Sequence, residues 1–121
     1  PVGLDEPEHY TTAEDLVTLS EYILQKYPRL WDFSVIPEVE AYSETGHRYL
    51  MKNTNILLNE FLAILGSKTG FTEKARGSIL MLYPVRPDKI AIIVILKSED
   101  RFGDGKKIIK WLDNLTNVSG N

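Results

Sequence analysis

The 121-residue sequence contains no cysteine, which excludes a disulfide framework and any thiolate metal site. It has two histidines, His9 and His47, too far apart for paired ligand spacing and better read as surface or loop residues than as metal ligands. It has no long apolar run. The longest, Ile90 to Leu96, falls far short of the ~20 residues a membrane helix needs. It has no excess of one charge. The net charge is −3, and the 14 basic residues are scattered, without the basic patch or stripe that nucleic acid requires. Internal repeats and low-complexity tracts are also absent. What remains is ordinary for a folded domain, 43% hydrophobic and 26% charged, with length enough for one core.

Pro1 to Tyr10 carries Pro1, Gly3 and Pro7 and reads as loop. Lacking an initiator Met, it is either a mature N-terminus left by processing or a piece of a longer chain. Asp5, Glu6 and Glu8 are best explained there as a solvated acidic cluster. Thr11 and Glu14 have the spacing of a capping box, and Leu16, Leu19, Ile23 and Tyr27 form one helical stripe. A helix is expected from Thr12 to about Lys26, stopped by Pro28. Trp31 to Asn53, with Thr45-Gly46 as a turn signal, reads as irregular or as a short hairpin. Asn55 to Leu65 suits a short helix or a buried loop.

Gly77 to Val85 reads as a strand ended by Pro84 and Pro87. Lys89 to Ser98, almost wholly apolar, is expected as a central strand buried on both faces. Arg86-Pro87-Asp88 suits the hairpin turn between them. Asp100 to Gly105 reads as a turn, Asp104 to Leu115 as a helix with Ile108, Ile109, Trp111 and Leu112 on one side, and Asn117 to Asn121 as a frayed tail. Trp31 and Trp111 are expected in the core. The order points to an α+β layout, an antiparallel sheet backed by helices.

Lys68-Thr69-Gly70 opens a strand-like stretch and is followed by Phe71-Thr72. Alone, the triplet suits a charged strand edge. Ahead of a β pair and a helix, it stands where a Lys-Thr-Gly triplet serves penicillin-binding proteins and class A β-lactamases. That chemistry sets a cation and a hydroxyl side by side on an edge strand to hold a carboxylate. Three further stretches extend the likeness. Gly3 to Leu16 resembles the Gly-Leu-Asp…His-x-(Ser/Thr)-(Ser/Thr)-Ala-x-Asp-Leu signature of serine-type D-alanyl-D-alanine carboxypeptidases, the S11 peptidase family. Asn53-Thr54-Asn55 is similar to that family's Asn-Thr-Asn segment. Gly66 to Thr72, with Ala75 and Gly77, resembles its Gly-x-Lys-Thr-Gly-(Tyr/Phe)-Thr block.

The resemblance implies a penicillin-binding-protein or β-lactamase-like transpeptidase fold and an acyl-enzyme reaction on D-Ala-D-Ala peptides of the cell wall, or on β-lactams, outside the cytoplasm. It implies that Lys68 supplies positive potential, Thr69 a hydroxyl, Gly70 close approach, and the Phe71 backbone N–H one oxyanion-hole donor. It calls for neither metal nor cofactor. It also implies that His9 orders its loop.

The sequence departs from the family in one large respect. None of Ser20, Ser34, Ser43, Ser67, Ser78, Ser98 and Ser119 is followed by Lys at the third position, and no Ser-x-Asn precedes Lys68. In the family both motifs lie upstream of the Gly-Leu-Asp block, where this sequence begins. The expectation is a single partial domain, the C-terminal half of the catalytic domain. Residues 1–65 would be helical and irregular, and 66–121 three strands with a closing helix. Such a chain would be inactive alone. Strand Ile90 to Leu96 would then lack cover, so that the chain self-associates or binds its missing half. Lys74, Arg76 and Ser78 replace small or apolar residues and leave the sub-branch open. The alternatives are a noncatalytic binding or scaffold domain of this fold, or a β-lactamase fragment, which the Gly-Leu-Asp block disfavours.

Overall fold

The first helix starts at Thr12. In the computed structural model, which describes residues 3–118 (backbone only at 117 and 118), Thr12 is extended and its hydroxyl accepts the Asp15 N–H at 3.1 Å. The cap is therefore one residue later than the expected Thr11–Glu14 box. Helix α1 spans Ala13–Lys26, with Glu14 and Asp15 at its positive end and Lys26 at its negative end. The buried stripe is also rotated from the expected one. Leu16, Ile23 and Leu24 pack inward around the buried Ser20, while Leu19 and Tyr27 face solvent. Ser20 can be buried because its hydroxyl donates to the Leu16 carbonyl at 2.6 Å.

Pro28 ends α1 and opens a second helix, α2, Arg29–Ser34, where irregular chain was expected. Proline fits a helix start, since its missing N–H would go unpaired there. The tertiary anchor is Trp31. Gly66 lies under its indole, and a Cβ on Gly66 would come within 2.7 Å of the ring. The hairpin follows: β1, Glu38–Tyr42, pairs antiparallel with β2, Arg48–Lys52. Gly46 turns it with φ +83, a backbone state that costs glycine little. A 3₁₀ turn at Ile56–Asn59 then leads to the main sheet.

That sheet is an antiparallel meander of β3, Gly66–Thr72, β4, Arg76–Arg86, and β5, Lys89–Ser98. The central strand is β4, and it is the one buried on both faces. Ile79, Met81 and Tyr83 point to one side, Leu80 and Leu82 to the other. β5, expected in the centre, lies at the end of the order, and Ile90 and Leu96 are exposed. Its apolar run reflects partial burial from both faces rather than a central position. Pro84 does not end β4. It lies past the last β3 partner pair, Gly66–Leu82, and beside a register shift, where proline is tolerated.

Helix α3, Arg101–Val118, covers the Ile79–Met81–Tyr83 side. It begins where a turn was expected. Asp100 caps it, accepting the Gly103 N–H through Oδ1 and the Asp104 N–H through its carbonyl. Gly105 is a packing residue rather than a turn residue. A Cβ there would approach Met81 Cε at 3.0 Å and Leu57 Cδ1 at 3.1 Å. Ile109 is fully buried, but Trp111 is 59% exposed and takes no part in the core expected of it. Of the expected frayed tail, Asn117 and Val118 extend the helix, and 119–121 lie outside the described residues. With α1 and α2 on the other side, the α+β domain has three layers, helix, sheet and helix.

Candidate functional site

Ser67 determines how the edge strand presents itself. Its backbone N–H donates to Ser34 Oγ at 2.9 Å, away from β4. Backbone groups along a strand alternate in direction, so Thr69 and Phe71 direct theirs to the same outer side. The Thr69 carbonyl receives the Lys68 ammonium. Lys68 and Thr69 are strand neighbours, so their side chains leave opposite faces. The long lysine chain folds back to reach the Thr69 backbone carbonyl, not its hydroxyl. Lys68 is exposed and Thr69 half-buried.

Behind this edge stands a set of polar side chains from Ser34, Asn53, Thr54, Asn55 and Ser67. Asn55 is 1% exposed. Its Nδ2 donates to Ser67 Oγ at 2.7 Å, and its Oδ1 accepts the Leu57 N–H at 3.0 Å. Asn53 Nδ2 donates to the carbonyls of Ser34 and Ile36, and its Oδ1 accepts the Asn55 N–H. The hydroxyls of Thr54 and Thr69 share a hydrogen bond. The two buried members, Asn55 and Ser67, are thus hydrogen-bonded, as burial requires.

Gly70 has room on its side-chain face, where an added Cβ would meet nothing nearer than Ser78 Cβ at 4.0 Å. Its carbonyl accepts from Arg101 Nη1 at 2.6 Å. The Arg101 guanidinium also stands 4.8 Å from the Phe102 ring centroid and 5.8 Å from that of the exposed Phe71. A second cation is thus brought to this strand. Sequence reasoning missed it because Arg101 lies in the stretch read as a turn.

Asp5 is more than a solvated acid. Its carboxylate accepts from the Thr72 hydroxyl at 2.6 Å and from the Lys74 N–H at 3.4 Å, tying the N-terminal loop to the β3–β4 turn. His9 donates from Nδ1 to the Leu4 carbonyl at 3.1 Å within that loop. His47 is exposed beside Tyr49. A cleft of about 480 Å³ lies between this loop and the turn, lined by Tyr10, Thr72, Lys74, Ser78 and Leu96 among others. Lys68, Thr69, Gly70 and Phe71 do not line it. Among the described residues no group of three or more His, Asp or Glu side chains could hold a metal, and no helix is long and apolar enough to cross a membrane.

Comparison with known proteins gives a consistent set of relatives. Residues 1–99 match the model of the peptidase S11 family, D-alanyl-D-alanine carboxypeptidase. The chain is 32% identical over 76 residues to D-alanyl-D-alanine carboxypeptidase DacF of Bacillus subtilis, covering 63% of this chain and 19% of that protein. It is 27% identical over 119 residues to D-alanyl-D-alanine carboxypeptidase DacA of Haemophilus influenzae, covering 92% of this chain and 28% of that protein. In structure it is similar to penicillin-binding protein D2 of Listeria monocytogenes in its cefotaxime-bound form, with TM-score 0.72 and 28% identity over 89% of this chain and 44% of that one. It is also similar to a D-alanyl-D-alanine carboxypeptidase of Mycobacterium tuberculosis, with TM-score 0.63 and 26% identity over 78% and 35%. The chain spans less than a third of the length of these two curated relatives and less than half of these solved structures. Its fold is that of the penicillin-binding proteins.

Proposed function

This chain belongs to the S11 family of D-alanyl-D-alanine carboxypeptidases, and we propose that it carries the substrate-binding edge of a serine-type enzyme acting on cell-wall peptides that end in D-Ala-D-Ala. None of its own serines has a lysine three residues on, so the nucleophile comes from another segment. That serine oxygen attacks the carbonyl carbon between the two D-alanines. The C–N bond breaks, the terminal D-alanine leaves as its amine, and water then hydrolyses the acyl ester.

This chain's residues serve that reaction by holding the substrate. Lys68 supplies positive potential to the terminal carboxylate, and Thr69 donates its hydroxyl to it. Gly70, with open space beside it, lets the peptide lie close to the strand. The Phe71 N–H donates to the oxyanion that forms on the attacked carbonyl. A donor of this kind contributes about 3–4 kcal/mol to transition-state stabilisation. A β-lactam would enter by the same contacts. The wall substrate places the enzyme outside the cytoplasm. The observation that carries this reading is the place of β3 at the sheet edge, with the Ser67 N–H directed away from β4 to Ser34 Oγ, so that the backbone groups of Thr69 and Phe71 lie on the same outer side.

The exposed apolar residues of β5 and α1 suit a further segment, either the remainder of the catalytic domain or a second copy of this chain. The test is covalent labelling of the complete protein by a fluorescent penicillin. Labelling that weakens in Lys68→Ala and Thr69→Val supports the reading. A complete protein that never labels would instead be a noncatalytic scaffold of this fold.

A further inference from the structure

Ser67 and Thr69 lie two apart on β3, so their side chains share one face. Each is met there by a side chain of a single short segment. Asn55 donates to Ser67 Oγ, and Thr54 shares a hydrogen bond with Thr69 Oγ1. The two contacts differ in setting. Asn55 is buried and locked by its second bond to the Leu57 N–H. Thr54 is exposed, at the site's surface.

We infer that Thr54 is a positioning residue for Thr69, an inference that rests on Thr69 binding the substrate's carboxylate. A threonine hydroxyl has one proton and two acceptor lone pairs, and its direction is free until a partner fixes it. With Thr54 donating to Thr69 Oγ1, the Thr69 proton is left to point outward at an anion. Asn53 and Asn55 hold the segment that carries Thr54, through Ser34, Ile36 and Ser67. The Asn-Thr-Asn segment is thus a rail that aims the hydroxyl rather than a part of the reacting groups. Thr54 touches neither the scissile amide nor the nucleophile in this account. Its loss therefore weakens binding and spares the chemical step.

The experiment follows acylation of the complete protein by a fluorescent penicillin over a range of concentrations, with thermal unfolding alongside. Thr54→Val keeps the shape and removes the hydroxyl, whereas Thr54→Ser keeps the hydroxyl. The expected result for Thr54→Val is a half-saturating concentration raised about five-fold, the size of one neutral hydrogen bond, with the limiting rate and the unfolding midpoint little changed. Thr54→Ser should match the unsubstituted protein. An unchanged half-saturating concentration in Thr54→Val overturns the inference. So does a Thr54→Ser protein as impaired as Thr54→Val, or a Thr54→Val protein that no longer folds, since both mark a structural role. Thr69→Val separates the two levels. If it is impaired and Thr54→Val is not, only the positioning role falls. If Thr69→Val is itself silent, the carboxylate reading falls and the inference falls with it.

Discussion

The Ser67 backbone N–H and the Ser34 hydroxyl, 2.9 Å apart, join the edge strand to the end of α2. The same hydroxyl donates onward to the Trp31 carbonyl at 2.6 Å. One serine thus accepts for the strand and donates to the helix. Without it, a part-buried N–H is left unpaired. Ser34→Ala should lower stability by about 1–3 kcal/mol, read by urea unfolding. An unchanged midpoint would show that the bond is not made in solution.

Two glycines of β3 should respond in opposite ways. Gly66→Ala drives a Cβ to 2.7 Å from Trp31 Cε3, in a well-packed layer, and should cost about 1–3 kcal/mol of stability. Gly70→Ala makes only an ordinary contact, with Ser78 Cβ at 4.0 Å, and should fold normally. On the proposed reading it should nonetheless slow penicillin acylation, because the added methyl would fill space left for the ligand beside the strand. Equal effects of the two on stability would contradict this division.

Tyr83 links the sheet to α3 by donating its hydroxyl to Asp113 Oδ1 at 2.8 Å. Burial first, then the hydrogen bond and the charge of Asp113, push its pKa up to about 12 from 10.0. The folded value lies above the unfolded one. Its contribution is therefore fully present below pH 10 and is lost as pH rises through about 12. Stability measured from pH 9 to 12 should fall, and in Tyr83→Phe the part of that fall due to this residue should vanish. An identical fall in both proteins would rule out the linkage.

Much of this architecture was legible in the sequence. The α1 span, the β4–β5 hairpin at Arg86-Pro87-Asp88 and the α+β order follow from periodicity and from proline and glycine placement. The failures have physical causes. Helix α2 is too short to show a period, and it is held by Trp31 on Gly66, a contact no local pattern encodes. The start of α3 was hidden by Gly103 and Gly105, which signal turns locally but here allow close packing and capping. Trp111 lies among apolar neighbours in sequence, yet its position on the helix points it outward. At the candidate site, Lys68 to Phe71 stood out by motif. Asn55 stood out only as part of the Asn-Thr-Asn likeness, without a role, and the distant Arg101 did not stand out, since what they do depends on contacts 12 and 31 residues away in sequence.

The apolar residues exposed on β5 and α1, among them Ile90, Leu96, Leu19 and Tyr22, predict association of the isolated chain. Light scattering at increasing concentration should give a mass rising above 13.8 kDa. A constant monomer mass over that range would show that these surfaces need no cover.

The central claim is that the β3 edge holds the carboxylate of an acylating ligand. Its most direct test is the intact mass of the complete protein, with and without a fluorescent penicillin, for the unsubstituted form and for Lys68→Ala. The account predicts a covalent adduct on a species that contains this chain and exceeds 13.8 kDa, formed far more slowly in Lys68→Ala. An adduct formed equally fast in both, or none on a folded protein bearing the Ser-x-x-Lys serine, would contradict it.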